Sequence, residues 1–169
     1  GGIGQQVAKR CKALGMTVLG VKRQVSEVEN VDEVHALADL DAIVGRADHI
    51  VLTLPGTAQT EKLIDAHVLS LAKPGVNVGR GTALDQKALA EALNSGKLAG
   101  AALDVMDPEP LPQDDPLWDA RNIILTPHVS GNMTLGYTCD ENVARFCADL
   151  ENYAAGRPLA GLVDRNRGY

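Results

Sequence analysis

Short strand-like runs alternate regularly with helix-period segments along all 169 residues, and this alternation limits the possible folds more than any other feature. Strands are predicted at residues 17–21, 49–54, 75–79, 99–105 and 122–126, and helices at residues 3–14, 31–44, 65–71, 85–94 and 135–155. Strands separated by helices join one sheet through right-handed crossovers, so the sheet is parallel and both of its faces are covered. The predicted fold class is α/β, a doubly wound parallel sheet in three layers that binds ligands at the carboxyl ends of its strands.

The composition limits both the core and the partners. Hydrophobic residues make up 45% of the chain and aromatic residues only 3%, so the core must be built from Ala, Val, Leu and Ile. A net charge of −6 argues against nucleic-acid binding, because neutralising phosphates needs clustered Lys and Arg. No apolar run approaches the ~20 residues that cross a bilayer, so a soluble protein with no membrane contact is expected.

The cysteines and histidines show no metal-ligand spacing. Cys11, Cys139 and Cys147 lack the even count of a disulfide framework, which favours a reducing, cytoplasmic location with the thiols buried. The four histidines do not combine with them into a zinc pattern, so no metal site is predicted.

The chain opens on a glycine-rich segment, Gly1-Gly2-Ile3-Gly4, directly before the first predicted helix. It resembles the end of a G-x-G-x-x-G dinucleotide fingerprint, with Gly1 and Gly4 as the second and third glycines. Gly1 would let the backbone approach a pyrophosphate, and Gly4 would allow the helix to pack closely on a strand. On its own this half-motif is equally consistent with an ordinary glycine turn.

The first predicted strand ends in the cations Lys22 and Arg23. A site that prefers NAD places a carboxylate about 20 residues after the glycines to bind the ribose. Two cations instead favour the additional phosphate of NADP by direct charge pairing. The sequence therefore favours NADP over NAD, and a solvated basic turn is the alternative.

Polar side chains follow the last three predicted strands. Arg80 follows the third strand, Asp104 and Glu109 follow the fourth, and His128 follows the fifth. A guanidinium can clamp a carboxylate, and a histidine beside a carboxylate can exchange a proton near neutral pH. Each residue alone has a plain alternative at the surface or at a helix cap. Together, Arg, then Glu 29 positions later, then His 19 positions after that, form a predicted catalytic constellation.

With these residues in this order, the chain resembles the D-2-hydroxyacid dehydrogenases. The Rossmann-type cofactor domain of that family carries N-x-x-R-G, then D-V-x-x-x-E-P, then P-H, and all three motifs occur here at familiar separations. The resemblance implies that Arg80 binds the substrate carboxylate and carbonyl, and that His128 donates a proton to the carbonyl oxygen. It further implies that Glu109 holds and tunes His128, and that Asp104 contacts the nicotinamide end of the cofactor.

The resemblance also implies a cofactor-binding set, part of it in a loop of the form L-P-x-T-x-x-T. The implied residues are Gly1, Gly2, Ile3, Gly4, Lys22, Arg23, Leu54, Pro55, Thr60, Val78, Gly79, Arg80, Asp104, His128 and Gly131. Residues 1–150 are expected to form the cofactor domain, and residues 151–169 a segment that returns to a substrate domain. Against the family pattern, the first Rossmann strand and most of the substrate domain are expected to be missing.

The predicted function is an oxidoreductase that transfers a hydride between NAD(P)H and a 2-oxo or 2-hydroxy acid. Glyoxylate or hydroxypyruvate reduction is the expected chemistry if NADP is the cofactor. The alternative is a dinucleotide-sensing interaction protein, similar to the corepressors that resemble these dehydrogenases and can retain the Arg, Glu and His. The expected partners are a small acid substrate and a second copy of the chain in a twofold dimer.

Overall fold

Helices and strands alternate in the computed structural model, which describes residues 1–73, 77–78, 81–131 and 136–163. The helices are α1 (Gly2–Ala13), α2 (Leu40–Val44), α3 (Ala66–Leu71), α4 (Gln86–Asn94) and α5 (Gly136–Ala154). The strands are β1 (Leu19–Val21), β2 (Glu33–His35), β3 (Ile50–Val51), β4 (Asn77–Val78), β5 (Ala101–Leu103) and β6 (Ile123–Leu125). Short 3-10 turns lie at Leu37–Asp39, Gly81–Ala83 and Pro116–Asp119.

The strands pair in parallel. β1 pairs with β2, β3 with β4 and β5 with β6, with Leu19 opposite Glu33, Ile50 opposite Asn77 and Ala101 opposite Ile123. β4 also lies beside β5. Parallel strands joined by helices bring their carboxyl ends to the same edge. The predicted α/β class is therefore confirmed.

The core consists of aliphatic side chains contributed by α3, α4, β5 and the turn at Pro116–Asp119. Leu89, Leu103 and Leu117 are almost fully buried, and each such side chain stabilises the fold by about 1.5–3 kcal/mol. Asp85 caps the start of α4 by accepting from the backbone N–H of Ala88 at 3.0 Å, as Asp65 caps α3 by accepting from Val68 at 2.9 Å. The prediction of a helix at residues 85–94 that begins at this cap is confirmed.

One predicted helix is wrong in its first part, and several predicted strands are too long. Residues 31–44 were expected to be helical, but Glu33–His35 forms β2, because its backbone completes a parallel ladder with β1. The run at residues 122–126 is shortened because Asn122 has a φ of 53°, which takes it out of the extended region. In the run at residues 49–54 only Ile50–Val51 forms a strand, and the chain then enters a loop.

The chain divides into two compact units, Gly1–Pro127 and His128–Tyr169. The expected end of the cofactor domain at residue 150 stays a prediction. In the second unit, no described side chain of α5 is buried. Its exposed apolar side chains follow a spacing of three and four residues: Val143, Phe146, Leu150 and Tyr153. α5 is therefore an amphipathic helix whose apolar stripe faces solvent in this chain.

The segment after α5 folds back on the helix through Asp149. Its carboxylate accepts from the backbone N–H of Ala160 at 2.7 Å and of Gly161 at 2.9 Å. These two hydrogen bonds stabilise the charged form and lower the pKa of Asp149.

The prediction that the cysteine thiols are buried is wrong. Cys147 is exposed, and Cys11 and Cys139 are only half-buried; Cys11 lies on α1 and the other two lie on α5. Among the helices described, none combines the length and the apolar character that crossing a membrane requires.

Candidate functional site

Helix α1 begins in the glycine-rich segment. The helix starts at Gly2 with Gly1 as its cap, no side chain caps it, and its first turn carries no acidic residue. A Cβ placed on Gly1 or Gly2 would meet no atom within 4 Å, and Ile3 is 69% exposed. Unsatisfied N–H groups and the positive end of the helix dipole make such a terminus suited to a phosphate.

Gly4 joins this terminus to the loop that follows β3. A Cβ on Gly4 would lie 3.0 Å from Oγ1 of Thr53, so the absence of a side chain allows the close approach. Within the loop, Thr60 donates from Oγ1 to the carbonyl of Pro55 at 2.7 Å and accepts from the N–H of Thr57 at 2.9 Å. Leu54 precedes this closed turn and is half-buried. The structure thus brings Gly4 and the predicted Leu54, Pro55 and Thr60 into one neighbourhood.

The same loop then contacts the turn at Gly81–Ala83. A Cβ on Gly56 would lie 3.0 Å from Oγ1 of Thr82, and the N–H of Lys62 donates to the carbonyl of Thr82 at 2.8 Å. On the far side, a Cβ on Gly81 would overlap the backbone carbonyl of Met106. Only glycine fits there, which explains in physical terms the glycine of N-x-x-R-G.

The residues just before Gly81 carry three of the predicted positions. Gly79 and Arg80 lie outside the described residues, and Val78 is described only as a backbone position of β4. The contacts of Thr82 and Gly81 fix the chain immediately after Arg80, between the β3 loop and the end of β5.

Two carboxylates lie at the end of β5, and each is held by a neutral donor. Thr126, directly after β6, donates from Oγ1 to Oδ1 of Asp104 at 2.6 Å. The backbone N–H of Met106 donates to Oε1 of Glu109 at 2.8 Å. Asp104 is half-buried and Glu109 is exposed. Asp104 is therefore held between the ends of β5 and β6, and Glu109 is held within the loop that follows β5.

His128 is the first residue after Pro127 and has a φ of 53°. The left-handed region is uncommon for a residue other than glycine, and such residues are concentrated at functional sites. Its side chain is exposed, as is the backbone of Gly131 three residues later. Asn30, Lys62 and Asn122 share a positive φ, so the conformation is consistent with a functional role for His128 but does not by itself single it out.

Lys22 lies where β1 ends beside β2. Its backbone N–H donates to the carbonyl of His35 at 3.0 Å, and its Nζ donates to Oγ of Ser26 at 2.9 Å. In the part of the chain that the structure describes, no carboxylate lies within ion-pair distance of this ammonium group. Arg23 follows it on the exposed side of the turn.

Neighbouring carboxylates are engaged by other cations. Asp32 accepts from Nζ of Lys12 at 2.7 Å, and Glu33 accepts from Arg46 at 2.6 Å and from His35 at 2.9 Å. The Arg46 guanidinium first, and His35 second, lower the pKa of Glu33 to about 2. The positive charge of Lys22 therefore stays available for an anion.

Gln86 is a site residue that the sequence did not reveal. It is buried at the start of α4, and its amide bonds to both backbone groups of Asp107 in the loop before Glu109. A glutamine in the first turn of a helix normally faces solvent, so the sequence offers no signal for this contact. No group of three or more His, Cys, Asp or Glu side chains within the described ranges could hold a metal ion.

The sequence matches a known family over most of its length. Residues 1–130 match D-isomer specific 2-hydroxyacid dehydrogenase, NAD binding domain. A glyoxylate/hydroxypyruvate reductase A from Salmonella newport is 34% identical over 100% of this chain and 54% of its own length. A D-3-phosphoglycerate dehydrogenase from Archaeoglobus fulgidus is 37% identical over 97% of this chain and 31% of its own length.

A solved structure shares the fold. The NADPH-dependent glyoxylate/hydroxypyruvate reductase from Sinorhizobium meliloti, in complex with NADP and sulfate, superimposes with a TM-score of 0.89 at 31% identity. The match covers 100% of this chain and 54% of that one. The chain therefore spans about half the length of these two reductases, and the Rossmann-type fold prediction is confirmed.

Proposed function

We propose a function from one premise: this chain belongs to the D-isomer specific 2-hydroxyacid dehydrogenase family and carries its NAD binding domain. The proposed activity is the NADP-dependent reduction of the C2 carbonyl group of a small 2-oxo acid. The observation that carries the proposal is the row of contacts along the carboxyl edge. It links the open N-terminus of α1, through Thr53, Thr82 and Gly81, to the held carboxylates Asp104 and Glu109.

The residues at this edge fit a dinucleotide. The uncapped start of α1 can accept a pyrophosphate, since Gly1 and Gly2 leave room for it and no acidic side chain repels it. The turn that Thr60 closes by its hydrogen bond to Pro55 would contact the middle of the cofactor, and Asp104 would contact its nicotinamide end. When bound, the reduced cofactor supplies a hydride equivalent.

The cofactor choice rests on Lys22. Its ammonium group is held by a neutral hydroxyl instead of a carboxylate, so its full charge can bind the additional phosphate that distinguishes NADP from NAD. The Sinorhizobium reductase, whose structure contains NADP, supports the same choice.

The chain's own chemistry is substrate binding and proton transfer. Arg80 would clamp the carboxylate of the 2-oxo acid and stabilise negative charge that develops on the carbonyl oxygen. His128 would donate the proton to that oxygen, and Glu109 would stabilise the imidazolium form from which the proton comes. Transfer of one hydride and one proton completes the reduction of the carbonyl to an alcohol.

Glyoxylate and hydroxypyruvate are the proposed substrates. The Salmonella and Sinorhizobium reductases, which are named for these acids, match the chain along its whole length. A 3-phosphorylated hydroxy acid is the competing substrate, because the Archaeoglobus phosphoglycerate dehydrogenase is of similar identity. A twofold dimer in the cytoplasm remains part of the proposal.

The test is a set of initial rates with the full-length protein that carries this sequence. NADPH and NADH are each offered with glyoxylate, hydroxypyruvate, pyruvate and 3-phosphohydroxypyruvate. The proposal expects the highest kcat/KM for NADPH with glyoxylate or hydroxypyruvate. Tight NADPH binding without turnover of any of these acids would contradict it and favour a dinucleotide-sensing role.

A further inference from the structure

Gln86 is polar, yet it is buried at the first residue of α4. Its exposed fraction is 8%, and the other buried side chains that the structure describes are apolar. Burying an amide costs free energy unless its donor and acceptor are both used. A side chain of this kind therefore needs a specific partner inside the protein.

The partner is the backbone of Asp107. Oε1 of Gln86 accepts from the N–H of Asp107 at 2.8 Å, and Nε2 donates to the carbonyl of the same residue at 2.9 Å. Two antiparallel hydrogen bonds to one residue fix both its position and its orientation. We refer to this pair of bonds as the Gln86 clamp.

The clamp acts on the segment that carries the acidic pair. Asp107 directly follows Met106, whose N–H holds the carboxylate of Glu109 and whose carbonyl abuts Gly81. Moving the Asp107 peptide would move that N–H donor, and with it Glu109. The helix that carries Gln86 is itself firmly packed, because its Leu89 and Leu93 side chains are 0% and 2% exposed.

We propose that Gln86 is a positioning residue that fixes the 104–110 loop and thereby places the Glu109 carboxylate for its role in catalysis. The role assigned to Glu109 rests on the proposed function, whereas the clamp on the loop does not. Gln86 does not touch the reacting atoms, and its effect passes through the backbone of Asp107 and Met106.

Two substitutions separate the clamp from simple packing. Gln86→Met keeps a similar volume and removes both hydrogen bonds. Gln86→Glu keeps the shape, and its protonated carboxyl group can still donate to the Asp107 carbonyl, whereas its carboxylate cannot. Burial, together with the neighbouring carboxylates of Asp85 and Asp107, opposes ionisation of that group.

The experiment follows amide hydrogen exchange of the 104–110 loop and steady-state kinetics in the full-length protein, with exposed Gln113→Met as the matched control. We expect Gln86→Met to speed exchange in the loop and to lower kcat by about 10- to 100-fold, since a shift of about 1 Å in a catalytic group costs that much. KM for NADPH should change less than kcat, because the phosphate-binding groups at the start of α1 and at Lys22 are untouched even though Asp104 lies at the start of the loop. The activity of Gln86→Glu, expressed as a fraction of the wild-type activity at the same pH, should increase as the pH is lowered.

The outcomes distinguish this proposal from the proposed function. If the wild type binds NADPH but is inactive, the proposed function is wrong. Amide exchange of the 104–110 loop in Gln86→Met would still show whether the clamp fixes that loop. Unchanged loop exchange in Gln86→Met, or an unchanged kcat in a folded variant of an active enzyme, would overturn the positioning role. A ratio of Gln86→Glu to wild-type activity that does not vary with pH would also count against it.

Discussion

At the β1–β2 end and at the β5–β6 end of the series of strands, charged side chains of opposite sign are held by uncharged groups. At the first end, the ammonium of Lys22 is held by the hydroxyl of Ser26. At the second, the carboxylates of Asp104 and Glu109 are held by a hydroxyl and a backbone N–H. The charged groups at the two ends differ in sign. This difference fits the proposed phosphate recognition by Lys22 at one end and the proposed proton chemistry at the other.

The sharpest test of this division is His128→Ala. Loss of a general acid lowers kcat by about 10²- to 10⁴-fold, whereas affinity for NADPH should change little because the groups that bind phosphate lie at other strand ends. Stopped-flow turnover and a separate NADPH titration measure the two effects. His49→Ala, at an exposed histidine, is the control. If His128→Ala lost affinity for NADPH as strongly as it lost kcat, the two ends would not have separate roles.

Lys22→Ala tests the opposite end. Removing a charge-assisted hydrogen bond worth about 1.5–3 kcal/mol should weaken NADPH binding by about 10- to 100-fold. NADH binding and kcat with saturating cofactor should stay near the wild-type values, because only the additional phosphate is affected. Lys73→Ala, at an exposed lysine already paired with Asp48 at 3.0 Å, serves as the control. Equal weakening of NADH and NADPH would remove Lys22 from cofactor selection.

Thr126→Val tests how strongly the neutral donor matters at the β5–β6 end. The substitution keeps the shape and deletes the 2.6 Å hydrogen bond to Asp104. A net loss of about 1 kcal/mol predicts about a fivefold decrease in kcat/KM. Thr17→Val, at an exposed threonine before β1, is the matched control. An unchanged kcat/KM would show that Asp104 is oriented by its other contacts.

Glu33→Gln gives the smallest expected effect, and it concerns stability at the β1–β2 end. The pKa of Glu33 is lowered from 4.5 to about 2 by Arg46 and His35, so its charged form stabilises the fold above about pH 4.5. This contribution is lost as the pH falls from there toward 2. Chemical denaturation across this range should show wild type and variant converging at the acid end. A difference that does not depend on pH would contradict the ion pair, and exposed Glu27→Gln is the control.

The elements that the sequence predicted are those whose cause is local. The start of α4 follows from the Asp85 cap and the apolar period after it, and both lie within nine residues of chain. β2 was missed because its three residues, Glu33–His35, are extended only through pairing with β1. A short segment with two charged or polar positions carries no strand signal of its own.

The candidate site divides in the same way. Their motifs, and their positions at or shortly after the ends of predicted strands, indicated Lys22, Asp104, Glu109 and His128. The Gln86 clamp joins residues 21 positions apart, and only the packing of α4 against the β5 loop brings them together. The close approach of Gly81 to Met106 has the same tertiary origin.

Isotope transfer tests most directly whether a hydride passes from NADPH to C2 of a 2-oxo acid. The full-length protein is supplied with hydroxypyruvate and with NADPH deuterated on either face of nicotinamide C4, and the product is analysed by NMR. We expect deuterium at C2 of a product with the D configuration, from only one of the two labelled cofactors. Product formed without deuterium from either cofactor, or no reduced product while NADPH is bound, would contradict it.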